Sequence, residues 1–379
     1  MKALICLLAA LMTVPLLAAE PTTINIRKSD LTSVNLAPLG GSSGGKATQV
    51  LKNDLVVSGL FDFAEQGRAR FSISGTAASD RLQGVVTDAR GATVLQKTYS
   101  APLRTAVHQF ADDIVSTLTG EKGIASTKIA FVSTRTGRKE IYTADYDGAN
   151  VQQLTRDNSI SVAPALSPDG RRLAYTGYKS GYADIYLIDL NSGSRKTLVK
   201  YPGTNSGASF SPDGGRIACT VSKDGNPELY VVSVRGGGRR VTKTRGVESS
   251  PTWAPDGRLL GFASDQSGGP QLYQIPAGGG KARKIPTGYS YCTDPSWSPD
   301  GSKIAFTART GGFSIAVKDL TGGSTRVVAS GGEAPVWGPN SRHLIYSSGT
   351  KLILLDTKTG KSFPIVSGLG KVTEPTWSR

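Results

Sequence analysis

Pro295-Ser-Trp-Ser-Pro-Asp-Gly301 decides the fold, because the phrase returns along the second half of the chain. It reads Pro164-Ala-Leu-Ser-Pro-Asp-Gly170, Ala208-Ser-Phe-Ser-Pro-Asp-Gly214 and Pro251-Thr-Trp-Ala-Pro-Asp-Gly257 upstream, and Pro335-Val-Trp-Gly-Pro-Asn-Ser341 downstream. The last residues, Pro375-Thr-Trp-Ser-Arg379, begin a sixth copy. Successive copies start 44, 43, 44, 40 and 40 positions apart. Recurrence at that period marks a β-propeller, one blade per repeat. The phrase is also legible locally. Pro presets φ, Asp favours turning and Gly accepts a positive φ, so Ser-Pro-Asp-Gly is a tight reversal between two strands. One bulky residue precedes each reversal: Leu166, Phe210, Trp253, Trp297, Trp337 and Trp377. A large side chain at one fixed place per blade fills the space between neighbouring blades.

After each reversal comes an alternating run such as Leu173-Ala-Tyr-Thr or Ile304-Ala-Phe-Thr, the pattern of a strand with one buried face. A third strand follows, as in Asp184-Ile-Tyr-Leu-Ile-Asp189, and a basic fourth strand, as in Arg239-Arg-Val-Thr or Arg326-Val-Val-Ala. Basic residues suit an outer edge that must not pair with other chains. Residues 127–379 hold about six periods, but only if one blade draws on both ends of this segment. Lys128–Ser133, Glu140–Asp145 and Val151–Thr155 match the second, third and fourth strands of a first blade. Its missing inner strand is Pro375–Ser378. The chain is therefore read as mainly β: a six-bladed propeller whose C-terminal strand closes the first blade and removes the exposed edges of an open array.

The first half differs. Met1-Lys2, the apolar Ala3–Leu17 and the small Ala18-Ala19 read as a secretory signal peptide cleaved after Ala19, with Ala18 the alternative. Residues 20–33 read as an extended arm, and residues 34–122 as a small α/β domain. Within it, Val34–Leu39 is a strand, Gly40–Gly45 a flexible loop and Lys46–Ser58 a helix. Phe71–Gly75, Gly84–Asp88 and Val94–Tyr99 are strands. Leu103, Val107, Phe110, Ile114 and Leu118 set one apolar face of a second helix. His108 is expected at an exposed position beside it. Thr119–Gly123 links the domain to the propeller at residues 127–379.

Composition narrows the function. Only two histidines occur, which excludes sites needing three imidazoles. Gly40-Gly-Ser-Ser-Gly44 spells G-x-S-x-G, but no hydrolase domain accompanies it, and His343 lies inside a propeller strand. There is no Cys/His zinc spacing. Cys219 stands where other blades carry Tyr175, Phe262, Phe306 and Tyr346, a packing place, and Cys292 is expected in a loop. Both are read as free thiols. The net charge of +15 comes without interleaved aromatic platforms, so nucleic acid is not an expected partner. No enzyme activity, cofactor or metal is expected. Four acids precede the inner strands, Glu248, Asp294, Glu333 and Glu374, at linkers that converge on one mouth of the ring. They either cap loops or bind a cation or a partner's basic group.

The repeat, the small domain ahead of it, Leu118-Thr-Gly-Glu-Lys-Gly123 with Thr127-Lys-Ile-Ala-Phe131, Asp145-Tyr-Asp-Gly148 and Asp54–Phe61 together resemble the TolB family of the periplasmic Tol-Pal system. The resemblance covers nearly the whole mature chain. It implies a monomeric periplasmic binding protein serving outer-membrane integrity and cell division. The propeller mouth would dock the peptidoglycan-associated lipoprotein Pal, and the arm would engage TolA. Other outer-membrane proteins are further candidates. The family's docking loops map onto Thr204, Asn205 and Gly207, and onto Glu248, Ser249 and Ser250, where a histidine and a Thr-Glu pair common in the family are replaced. The competing classes are an exported scaffold with a different ligand and a propeller hydrolase or lyase.

Overall fold

The computed structural model describes residues 31–378. The signal peptide and most of the arm lie outside the described residues. The first ordered strand, β1 (Thr32–Leu36), begins inside the segment read as arm. It is followed by α1 (Gly44–Ser58), β2 (Phe61–Phe63), β3 (Phe71–Ala77), β4 (Arg81–Asp88), β5 (Thr93–Ser100) and α2 (Leu103–Thr119). The five strands form one sheet in the order β2-β1-β3-β4-β5. β1 pairs in parallel with both β2 and β3, and the remaining pairs are antiparallel. α1 buries Leu51 and Leu55, and α2 buries Val107, Phe110 and Ile114, in the core beneath the sheet.

The glycines at the start of α1 are not a flexible loop. A Cβ on Gly41, at φ +88°, would lie 2.5 Å from the Ala77 carbonyl oxygen, and one on Gly44 would lie 2.0 Å from that of Leu39. Close backbone approach, rather than a nucleophile elbow, requires these residues.

Six four-stranded antiparallel sheets follow. Five are consecutive meanders. The remaining sheet takes its inner strand, Val372–Trp377, from the far end of the chain and pairs it with Lys128–Ser133. The seam is reinforced on both sides: Ser378 N–H donates to the Lys128 carbonyl at 2.9 Å, and Lys128 N–H donates to Ser378 Oγ at 2.9 Å. The bulky residue before each reversal is buried, as the repeat implies. Trp253 is 1% exposed, and the Arg216 guanidinium lies 4.9 Å from its ring.

The basic residues of the fourth strands do more than guard edges. Lys196 Nζ donates to the Val234 carbonyl at 2.9 Å, Arg239 to Ala277 and Gly278, and Arg326 to Thr357. Each ties one blade to the next through otherwise unpaired turn carbonyls.

Cys219 is fully buried, and burial pushes its thiol up to about 12. Cys292 is not in a loop: it opens the inner strand Cys292–Trp297 and is equally buried, with Thr287 Oγ1 3.2 Å from its sulfur. Both thiols are free.

Candidate functional site: the propeller mouth

The mouth is built by one repeated backbone irregularity. Each inner strand slips register against its neighbour just ahead of the turn phrase, as at Ser249/Thr252, Thr293/Ser296 and Thr373/Thr376. At each slip one residue adopts a left-handed conformation: Ala163, Gly207, Ser250, Asp294, Ala334 and Glu374, with φ between 48° and 65°. For the non-glycine members that backbone costs about 1–2 kcal/mol each. A bulge re-aims a side chain, and here all six residues line a single cavity of 570 Å³ on the ring axis.

The bulge separates the sequence-predicted residues. Asp294 and Glu374 occupy the bulge position, one residue before proline, and line the cavity. Glu333 lies one residue earlier and is exposed at its edge. Glu248 lies three residues before Pro251, in the position held by Cys292 in the next blade. It is 0% exposed and does not reach the mouth. Asn205 is likewise wholly buried, its amide donating to the carbonyls of Ala183 and Tyr201. Gly207 and Ser250 line the cavity, Ser249 is half-buried next to it, and Thr204 is exposed on the linker outside it. The offset of each acid from its proline was countable in the sequence, and it sorts the four correctly.

The mouth acids are anchored. Asp294 Oδ1 accepts from Ser250 Oγ at 3.2 Å, and Oδ2 accepts from Thr293 and Thr307 hydroxyls at 3.0 and 3.2 Å. Glu374 Oε2 accepts the Ala163 backbone N–H at 2.5 Å, a bond from blade 1 to blade 2. Burial raises the Glu374 carboxyl above its ordinary value; Asp294 adds to this, while the Ala163 N–H, Lys139 and Lys371 oppose it. Lys139 and Lys371 also line the cavity, so the mouth carries both signs of charge.

The rim around it is apolar in patches. Ile160, Tyr178, Tyr182, Val247 and Phe313 are exposed, Tyr182 at 74%. Ile160 and Val247 lie on linkers into inner strands, Tyr178 and Tyr182 on a second-to-third strand connection, and Phe313 at the first residue of a third strand. Because Glu248 pairs with Ser264, those two kinds of loop share one end of the ring.

The small domain holds the opposite end. His343 Nε2 donates to the Val57 carbonyl at 3.0 Å, while Nδ1 accepts from Asn340 at 2.8 Å. Beside it, Arg342 bonds both oxygens of Asp356 and the Gly59 carbonyl. His108 is not an exposed helix residue. It is 3% exposed and faces the propeller across the domain boundary. Its Nδ1 lies 2.7 Å from Asp54 Oδ2, and its Nε2 accepts from Arg104, which also binds Asp147. Tyr146 of the first blade donates to Asp54 Oδ1 at 2.7 Å. Asp54, His108 and Asp147 cluster closely enough to hold a metal ion, but the Arg104 guanidinium already supplies the positive charge there.

These features define a class: a six-bladed β-propeller with an α/β domain on one end and an open, mixed-charge mouth with an apolar rim on the other. Residues 115–379 match the TolB beta propeller domain family (PD40). The chain belongs to that family. It is 42% identical over 144 residues to the protein TolB homolog of Chlorobium luteolum, covering 37% of this chain and 31% of that one. It is 34% identical over 206 residues to the Tol-Pal system protein TolB of Geobacter metallireducens, covering 45% and 47%. In neither case does the match span more than about half of the relative's length. The crystal structure of TolB from Acinetobacter baumannii superposes with a TM-score of 0.82 at 25% identity, covering 95% of this chain and 98% of that one. This kinship includes proteins named as components of the Tol-Pal system.

Proposed function

We propose that the chain is the periplasmic propeller of a Tol-Pal system, docking the peptidoglycan-associated lipoprotein Pal at its mouth and TolA through the arm at residues 20–33. In this role it supports outer-membrane integrity and cell division. The observation that carries the reading is the rim. Five of the large apolar side chains exposed among the described residues gather at the end of the ring left free by the small domain. Exposed apolar groups around a concave, partly charged cavity are the usual makings of a protein-docking surface. A closed ring is rigid, so docking there costs little ordering entropy.

The test is calorimetric titration of the mature chain with the soluble domain of Pal. Binding that weakens about tenfold in Tyr182→Ala supports the reading. No binding by a folded chain would overturn it and leave an exported scaffold with another partner. Deleting residues 20–33 should abolish TolA binding; unchanged affinity would refute the arm's assignment. Cell fractionation checks the periplasmic location.

A further inference from the structure

Two carboxyls meet in the seam between the third and fourth blades. Glu228 opens the strand Glu228–Ser233, and Glu248 opens the inner strand Glu248–Trp253. Both are 0% exposed. Glu228 Oε1 accepts from the Arg240 guanidinium at 2.6 Å and from Thr244 N–H at 2.8 Å. Glu248 Oε1 accepts from the hydroxyls of Thr244 and Ser264 at 2.7 and 2.8 Å. The Oε2 atoms of both residues are buried with no donor, and Thr244 brings the two carboxyls together by donating its N–H to Glu228 and its hydroxyl to Glu248.

Two ionised carboxylates can only accept, so neither orphan oxygen could satisfy the other. A proton on one of them turns it into a donor and satisfies both. We propose that one proton sits between Glu228 and Glu248, carried on Glu248 Oε2 and donated to Glu228 Oε2, as a pH-responsive tie between these two blades.

The surroundings decide which residue carries it. The Arg240 guanidinium stands against Glu228, whereas Glu248 is met only by hydroxyls, so the geometry places the proton on Glu248. Arg240 also pairs with Asp224 at 3.3 Å, and Asp224 receives the Tyr230 hydroxyl and has Lys223 at 4.0 Å. On the linker side, Asp265 accepts from Val247 N–H at 2.7 Å. Burial, followed by Glu228 itself, pushes the Glu248 carboxyl up to about 7. The tie sits just under the mouth, because Ser249 and Ser250 follow Glu248 directly. Loss of the proton sets two buried negative charges against each other at the first residue of that inner strand.

Between pH 4.5 and 7 the folded chain holds a proton that the unfolded chain has released, so this pair's contribution falls as pH rises through that window. Glu248→Gln keeps the Oε1 acceptor, offers Glu228 a permanent N–H donor and cannot titrate. In urea unfolding from pH 5 to 8, the folding constant of the wild type relative to Glu248→Gln should drop about a hundredfold. His343 titrates in both proteins and cancels from the ratio. Parallel profiles would overturn the proposal. Glu228→Gln removes the like charge and should shrink the same drop; an undiminished drop would also overturn the proposal. If neither variant folds, a carbon-13 titration of the glutamate carboxyls in Glu374→Gln protein decides. One carboxyl titrating near pH 7 is expected, and none above the usual carboxylate range refutes the shared proton.

Discussion

Trp377 and Thr127 stand 250 residues apart in the chain, yet the Trp377 indole N–H donates to Thr127 Oγ1 at 2.7 Å. This contact, with the pairing of Val372–Trp377 onto Lys128–Ser133, turns a row of sheets into a ring. Removing residues 371–379 should open the first blade, expose a sheet edge and lower the thermal midpoint, with oligomers visible by size exclusion. Trp377→Ala alone should cost about 3–5 kcal/mol in urea unfolding. A truncated chain as stable and monomeric as the wild type would refute closure at this seam.

Arg342 joins the two domains. It is 4% exposed and binds Asp356 and the Gly59 carbonyl. Arg342→Ala leaves the Asp356 carboxylate, 1% exposed, without its cation, at a cost of about 3–5 kcal/mol. Because the small domain loses one of its anchors, its transition in scanning calorimetry should move to lower temperature relative to that of the propeller.

His343 sets an acid limit. Burial lowers its imidazole to about 4 against an ordinary 6.5; Arg342 also lowers it, while Asp356, the Val57 carbonyl and Glu121 oppose the shift. The unfolded chain therefore binds a proton that the folded chain refuses between pH 6.5 and 4. Its contribution is complete above pH 6.5 and is lost as pH falls, up to about 3 kcal/mol. Urea midpoints of Glu248→Gln protein, freed of the opposing slope of the glutamate pair, should fall over this window, and His343→Gln should flatten the fall.

The mouth offers a contrast between stability and binding. Tyr182, at 74% exposure, packs against little, so Tyr182→Ala should change unfolding free energy by no more than about 0.5 kcal/mol. Ala334→Gly relieves a left-handed alanine at φ 52° and should raise stability by about 0.5 kcal/mol after the entropy of glycine is counted. A clear loss of stability in Ala334→Gly would mean that the bulge is not strained.

The ring was legible because its signals are local and repeated. Pro-Asp-Gly turns, period-two strands and one bulky residue per repeat each report on a few neighbouring residues, and together they gave the blade count and the closing strand. The mouth was legible only in part. Asp294 and Glu374 reach it because a bulge places them there, whereas Glu248, two residues out of register, turns into the seam. The left-handed bulge residue interrupts the strand's alternation, so positions on and before it face different environments. The burial of His108 is not legible in the sequence, because one helix's periodicity cannot reveal a second domain covering its flank.

By itself the sequence determined the architecture: six blades, their order, and the need for the chain's end to complete its first blade. Turn chemistry and strand periodicity are short-range properties that each segment carries with it. Only the tertiary structure decided which carboxyls face the mouth, which pair is buried between blades, and which end of the ring the small domain leaves open. Those outcomes depend on what residues far apart in the chain present to one another, and burial and charge pairing arise only once the ring has closed.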